Sequence, residues 1–123
     1  MPHKPIYEEA LTLFHEFNQT ESLRKHGYAV EGVMRYLARK NGEDVEKWGI
    51  IGLVHDIDYE RFPDQHCKKA PEILTQRDWP EDYIHAVTSH GWGICTDVEP
   101  KEYMEKILYT VDELSGLITA CAL

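Results

Sequence analysis

Apolar residues recur at helical spacing along nearly the whole chain, and no useful stretch alternates with the two-residue period of a strand. Ile6, Ala10, Leu13, Phe14 and Phe17 fall on one stripe of a helix from Pro5 to about Phe17, which breaks at Asn18-Gln19-Thr20. Ser22 is the expected cap of a second helix, Leu23 to Lys40, which Asn41-Gly42 stops. Its apolar stripe is read as Tyr28 or Ala29, Val33, Tyr36 and Leu37. Asp44 caps a third helix running to about His55. From Trp48 to Val54 that helix is apolar on nearly every side, which marks it as the central buried one. Gly49 and Gly52 weaken it intrinsically, and their expected use is close approach by a neighbouring helix.

After a loop from about Ile57 to Gln65, a fourth helix is expected over about Cys67 to Gln76, with Pro71 in its first turn or at a kink. Asp78-Trp79-Pro80 restarts a fifth, which carries Ile84, Val87 and His90 and ends at Gly91-Trp92-Gly93. Pro100 opens the last, with Met104, Ile107, Leu108, Val111, Leu114, Leu117 and Ile118 at helical spacing. The pattern predicts an all-α chain of about six helices, forming one domain over residues 1–123, with no repeat or low-complexity tract.

Charge narrows the partners. With 22 acids against 13 bases the formal net charge is −9, and no basic stripe marks a nucleic-acid polymer as partner. A small phosphorylated substrate stays compatible, because a bound cation inverts the local field. No run approaches the roughly 20 apolar residues of a membrane span, and Met-Pro-His-Lys-Pro is no signal-peptide start, so no membrane partner is expected. Cys67, Cys95 and Cys121 form no CxxC and leave an odd count, which reads as reduced thiols in a cytoplasmic protein. Oligomeric state is not legible.

Four residues carry the chemistry: His26, the pair His55-Asp56 and Asp112. Imidazole and carboxylate are natural ligands for divalent transition metals. Each has a plainer reading. His55-Asp56 could be a helix end, His26 a partly buried histidine on a helix face, and Asp112 the polar edge of an amphipathic helix. For His55-Asp56 the setting favours ligation, since the pair closes the buried apolar helix where the backbone lets both side chains turn one way.

In that order the four residues resemble the HD-domain superfamily of metal-dependent phosphohydrolases. The phrase Gly-Leu-Val-His-Asp-Ile-Asp is similar to its HDIG branch, with Asp58 where that branch usually has Gly. The resemblance runs from about Leu23 to the end of the chain. It implies an all-α HD fold around a buried metal site, holding one or two ions of Mn, Fe, Co, Ni or Zn. His26, His55, Asp56 and Asp112 would hold the first ion. His66 and His90 sit where relatives complete a second site, with Asp56 bridging, although Cys67-Lys68-Lys69 departs from the small and apolar residues common there. His85 lies five residues before His90 and faces elsewhere, so His90 is taken as the ligand.

The implied activity is hydrolysis of a phosphate ester or anhydride, of a nucleotide or another small molecule, by metal-activated water. Asp58 is the candidate catalytic acid or base, with a turn residue as its alternative. Lys25, Arg61, Lys68 and Lys69 are candidate phosphate-binding cations, with solvated surface charge as theirs. Trp48, Trp79 and Trp92 could stack on a base, Trp48 being the better fit to the core. Two other classes stay open: an HD-type di-iron oxygenase using the same ligand types, and a catalytically silent nucleotide-binding domain. Related domains usually continue beyond this point, which leaves a truncated C-terminus open.

Overall fold

The computed structural model describes the backbone of residues 4–122 and the side chains of residues 4–114. The helices are α1 (Tyr7–Phe17), α2 (Glu21–Lys40), α3 (Val45–Val54), α4 (Lys69–Gln76), α5 (Glu81–Ser89) and α6 (Tyr103–Ala122), with a 3-10 turn at Pro63–Gln65. Among the described residues there is no strand, only an isolated bridge between Trp92 and Thr96. None of these helices is long and apolar enough to cross a membrane.

Helix α3 is the centre of the fold, as its all-round apolar character predicts. Every residue from Trp48 to Val54 is buried, and the helix packs chiefly on α2, with α1 and α5 on its other sides. Asp44 caps it by accepting a hydrogen bond from the Lys47 N–H at 3.0 Å. Gly52 allows the close approach to α2. A Cβ there would lie 3.2 Å from the Val30 carbonyl oxygen and 3.3 Å from Glu31 Cα, both backbone atoms. Gly52→Ala is therefore expected to cost about 1–3 kcal/mol from overpacking, against a gain of up to about 1 kcal/mol in helix propensity. Denaturant unfolding checks this, and an unchanged or raised midpoint would show that α2 can yield.

The buried face of α2 differs from the predicted one. Tyr28, Val33 and Tyr36 are 42%, 42% and 55% exposed, Ala29 is exposed and Leu37 is half-buried. The inward row is Gly27, Val30, Glu31, Met34 and Ala38. Two things shift the face. Glu31 is carried inward because Arg35 Nε (2.8 Å) and the Tyr7 hydroxyl (3.2 Å) both donate to its carboxylate. Gly27 must face α1, because a Cβ there would run into the Phe14 ring at 2.5 Å.

The element starts also move. No side chain caps α2, whose N-cap is Thr20 rather than Ser22. Helix α4 begins at Lys69, after Cys67 takes a left-handed backbone with φ 71°. Helix α6 begins at Tyr103 rather than Pro100, where the buried Glu105 carboxylate accepts from the Lys101 and Glu102 N–H groups and pairs with His85 at 2.5 Å. Of the stripe expected on α6, Met104, Leu108 and Val111 are buried and Leu114 is 52% exposed. The side chains of Leu117 and Ile118 lie outside those described.

The cysteines require a correction. Cys67 and Cys95 are joined by a disulfide, their Cα atoms 5.9 Å apart across 28 residues of sequence. The turn after α5 folds back onto the turn before α4 and brings them together. The expectation of reduced thiols fails for this pair, and the argument for a cytoplasmic protein that rested on it goes too. The side chain of Cys121 lies outside those described.

Candidate metal centre

Three helix ends and two helix faces converge on one cluster. His26 projects from the second turn of α2 and Asp112 from the middle of α6. His55 and Asp56 follow the last residue of α3, where the helix gives way to turns. His66 follows the 3-10 turn, and His90 follows α5.

The atoms meet around the two oxygens of Asp56. Its Oδ2 lies 3.4 Å from His26 Nε2 and 3.3 Å from His55 Nε2. Asp112 Oδ1 lies 3.1 and 3.0 Å from the same two nitrogens, which are 3.1 Å from each other. On the other side, Asp56 Oδ1 lies 3.1 Å from His90 Nε2 and 3.4 Å from His66 Nε2. With ligands about 2.1 Å from an ion, neighbouring ligand atoms stand about 3.0 Å apart at right angles and about 3.4 Å apart at the tetrahedral angle. The first group, His26, His55, Asp56 and Asp112, has the spacing of ligands around one cation. Asp56 reaches from it to the second pair of histidines.

Hydrogen bonding at the far side of three rings sets the near side. His55 Nδ1–H donates to the Gly52 carbonyl at 2.6 Å, and His90 Nδ1–H donates to the Val87 carbonyl at 2.5 Å. A carbonyl can only accept, so both rings carry the proton on Nδ1 and, when neutral, present a lone pair at Nε2. His66 Nδ1–H donates to Asp58 Oδ1 at 2.5 Å, with the same result. Neutral rings would aim lone pairs at carboxylate oxygens, so the cluster needs protons or a metal cation between its atoms.

The titration directions say the same. Hydrogen bonds that it donates to the Asp112 and Asp56 carboxylates push His26 up to about 9. Burial opposes protonation of His55, yet the Asp56 and Asp112 carboxylates hold it well above the usual histidine range. Burial also works against the charged form of Asp56 and of Asp112, yet the imidazoles around them hold both carboxyls below the usual carboxylate range. The fold thus builds a socket for positive charge. It is not sealed: His26, Asp56 and Asp112 side chains keep 28%, 21% and 26% of their surface exposed, leaving a side from which a small molecule can reach the cluster.

The other predicted site residues fall elsewhere. Asp58 is fully buried. One oxygen holds His66 and the other accepts from the Ala70 N–H at 3.0 Å, in the first turn of α4. Its carboxylate is occupied behind His66. Lys25 pairs with Glu21 on the exposed side of α2. Arg61 donates to the Glu16 carbonyl at 2.9 Å and lies over the Phe17 ring. Lys69 pairs with Glu72 at 3.0 Å and lies over Phe62. These three cations are engaged outside the cluster. Lys68 instead lines a cavity of about 680 Å³ together with His66. Trp48 and Trp79 are core residues, whereas Trp92 is 40% exposed. His85, expected to face away, pairs with Glu105.

Sequence reasoning missed Cys67 as a neighbour of the site. Its sulfur groups with ring nitrogens of His66 and His90, all within 4.8 Å of one another. The signal was its position next to His66, outweighed by the absence of a CxxC spacing.

No curated protein and no solved structure matches the chain. The family model described as HD domain matches residues 23–116, a span that contains His26, His55, Asp56, His66, His90 and Asp112. With an all-α fold and a His/Asp cluster suited to a divalent metal, the chain belongs to the HD domain family.

Proposed function

We propose that the chain is a metal-dependent phosphohydrolase that cleaves a phosphate ester or anhydride of a small molecule, with a nucleotide as the favoured substrate class. The observation that carries this reading is the division of Asp56, with Oδ2 toward His26 and His55 and Oδ1 toward His66 and His90. Divalent ions held there supply charge that neutralises a phosphoryl oxygen and acidifies water toward neutral pH. His26, His55, Asp112 and Asp56 would bind one ion, and His66, His90 and Asp56 the other. Asp58 acts as a positioning residue, fixing the His66 ring and its tautomer. Lys68 is the cation best placed to meet a phosphate entering the cavity beside His66. Asp64 and Asp97 line that cavity too, so attraction of an anion falls to the ions rather than the wall. Trp92 is the tryptophan that offers an exposed ring to a base.

Elemental analysis of protein purified without chelator or affinity nickel tests the site, followed by phosphate release from mononucleotides, cyclic nucleotides, dinucleotide polyphosphates and simple phosphate esters. One to two metal equivalents and turnover on a member of that set are expected. Bound metal without turnover on any phosphate would overturn the hydrolase reading, and predominant iron with oxygen-dependent turnover would replace it with an oxygenase. Asp58→Asn should weaken metal at the His66 position by about 10–100-fold while sparing the first ion. An amide cannot both accept from His66 and accept from Ala70 with its nitrogen side. Metal titration reads the change, and unaltered binding at both positions would remove Asp58 from the site.

A further inference from the structure

We propose that Cys67 is a redox-gated metal ligand: as a thiol released from its disulfide with Cys95, it completes an ion position with His66 and His90. The inference rests on the two-ion reading above and assigns the second position a sulfur ligand that appears only on reduction. Cys67 Sγ and a ring nitrogen of each of the two histidines lie within 4.8 Å of one another. Cys67 is 3% exposed, so its sulfur is held among these groups rather than at the surface.

The backbone around the pair is fitted to this arrangement. Cys67 holds φ 71°, a left-handed conformation that is unfavourable for a side-chain-bearing residue. Gly91, immediately after His90, packs against both sulfurs, and a Cβ there would collide with each of them. The redox state of the pair is therefore in direct contact with the loop that sets His90.

The two sulfurs differ in access. Cys95 is half-buried and lines the 680 Å³ cavity, with His66 and Lys68 on the same wall. A small dithiol reductant entering there reaches the Cys95 sulfur first. Its thiolate attacks Cys95 Sγ, the S–S bond breaks, and Cys67 leaves as the thiolate beside His66 and His90. The reductant's second thiol then displaces Cys95, taking the two electrons' worth of oxidation away as the reductant's own disulfide. Cys67 binds the ion through the freed thiolate, and the proton that Cys95 takes up comes from the reductant. A thiolate with two imidazoles favours a softer ion such as Zn²⁺ or Co²⁺ over Mg²⁺ or Mn²⁺. In the disulfide state the position is left with imidazole and the Asp56 oxygen alone.

Cobalt is the probe, because a thiolate bound to Co²⁺ gives a charge-transfer band in the near ultraviolet that imidazole and carboxylate do not. The full chain is loaded with Co²⁺ oxidised, and again after dithiol reduction and anaerobic removal of the reductant. The band is expected in reduced wild type and in Cys95→Ser without any reductant. It should be missing from oxidised wild type and from Cys67→Ser in either state, with Cys121 present throughout. Zn²⁺ affinity at the second position should rise by roughly tenfold or more on reduction. Two cobalt equivalents without the band, or a band that survives Cys67→Ser, would overturn the sulfur assignment and leave the two-ion reading standing. Failure to bind cobalt in any state would overturn both.

Discussion

Asp56→Ala should strip both ions from the protein and reduce phosphate release to that of the chelated control, whereas His66→Ala should leave one ion bound. The asymmetry follows from the geometry. Among the described residues, Asp56 is the one with an oxygen at each position, 3.3–3.4 Å from His55 and His26 through Oδ2 and 3.1–3.4 Å from His90 and His66 through Oδ1. Its removal takes a ligand from each ion and also removes negative charge that offsets two cations held close together. His66 touches only the second group. His55→Ala should behave like Asp56→Ala at the first position, because it removes the Nε2 that lies 3.0 Å from Asp112 and 3.3 Å from Asp56 and whose tautomer the Gly52 carbonyl fixes. Elemental analysis beside a phosphate-release assay reads all three variants. If Asp56→Ala kept two equivalents, the bridging geometry would have no functional meaning. If His66→Ala lost both, the positions would be one cooperative unit.

The sequence was most readable where local chemistry and global packing agree. The run from Trp48 to Val54 has only one way to satisfy its apolar character, and it is the buried centre of the fold. Gly52 was legible for the same reason: a glycine inside such a helix weakens it without return unless another backbone needs the space. The convergence of His26, His55, Asp56, His66, His90 and Asp112 was foreshadowed by family resemblance, not by spacing, since these residues come from five separate elements. Spacing alone leaves each of them an ordinary histidine or aspartate.

The misreadings share a cause: a tertiary partner that local pattern does not display. The α2 face was taken from the apolar stripe of Tyr28 or Ala29, Val33, Tyr36 and Leu37. The structure turns Glu31 inward instead, against Arg35 and Tyr7, from 4 and 24 residues away in sequence. Asp58 was read as a candidate catalytic group, with a turn residue as its alternative, because it follows the His-Asp pair, and neither reading foresaw its partners. They are His66 Nδ1–H and the Ala70 N–H in the first turn of α4. Cys67 and Cys95 are 28 residues apart, and only the return of the chain after α5 reveals them as neighbours. In each case the missing information was a long-range contact rather than a propensity.

Metal uptake should strengthen with pH, by about tenfold per pH unit for each proton displaced, over the range from about 6.5 to about 9. In the ion-free protein the Asp112 and Asp56 carboxylates hold the His26 proton up to about 9. An ion binding at Nε2 must expel that proton, and it competes against it throughout this window. His55 is shifted the same way, so the slope lies between one and two protons. Stability of the ion-free chain runs opposite. A histidine whose folded pKa lies above its unfolded value near 6.5 binds more proton when folded. Its contribution is fully present below about 6.5 and is lost as pH rises through about 9. Thermal unfolding of the chelated protein should therefore fall in midpoint from pH 6.5 to 9, while the gain from added metal grows. Chelator-competition titrations at several pH values, paired with those melts, measure both halves. A pH-independent affinity would mean that His26 carries no proton where the ion binds, and would overturn the raised titration of the ion-free cluster.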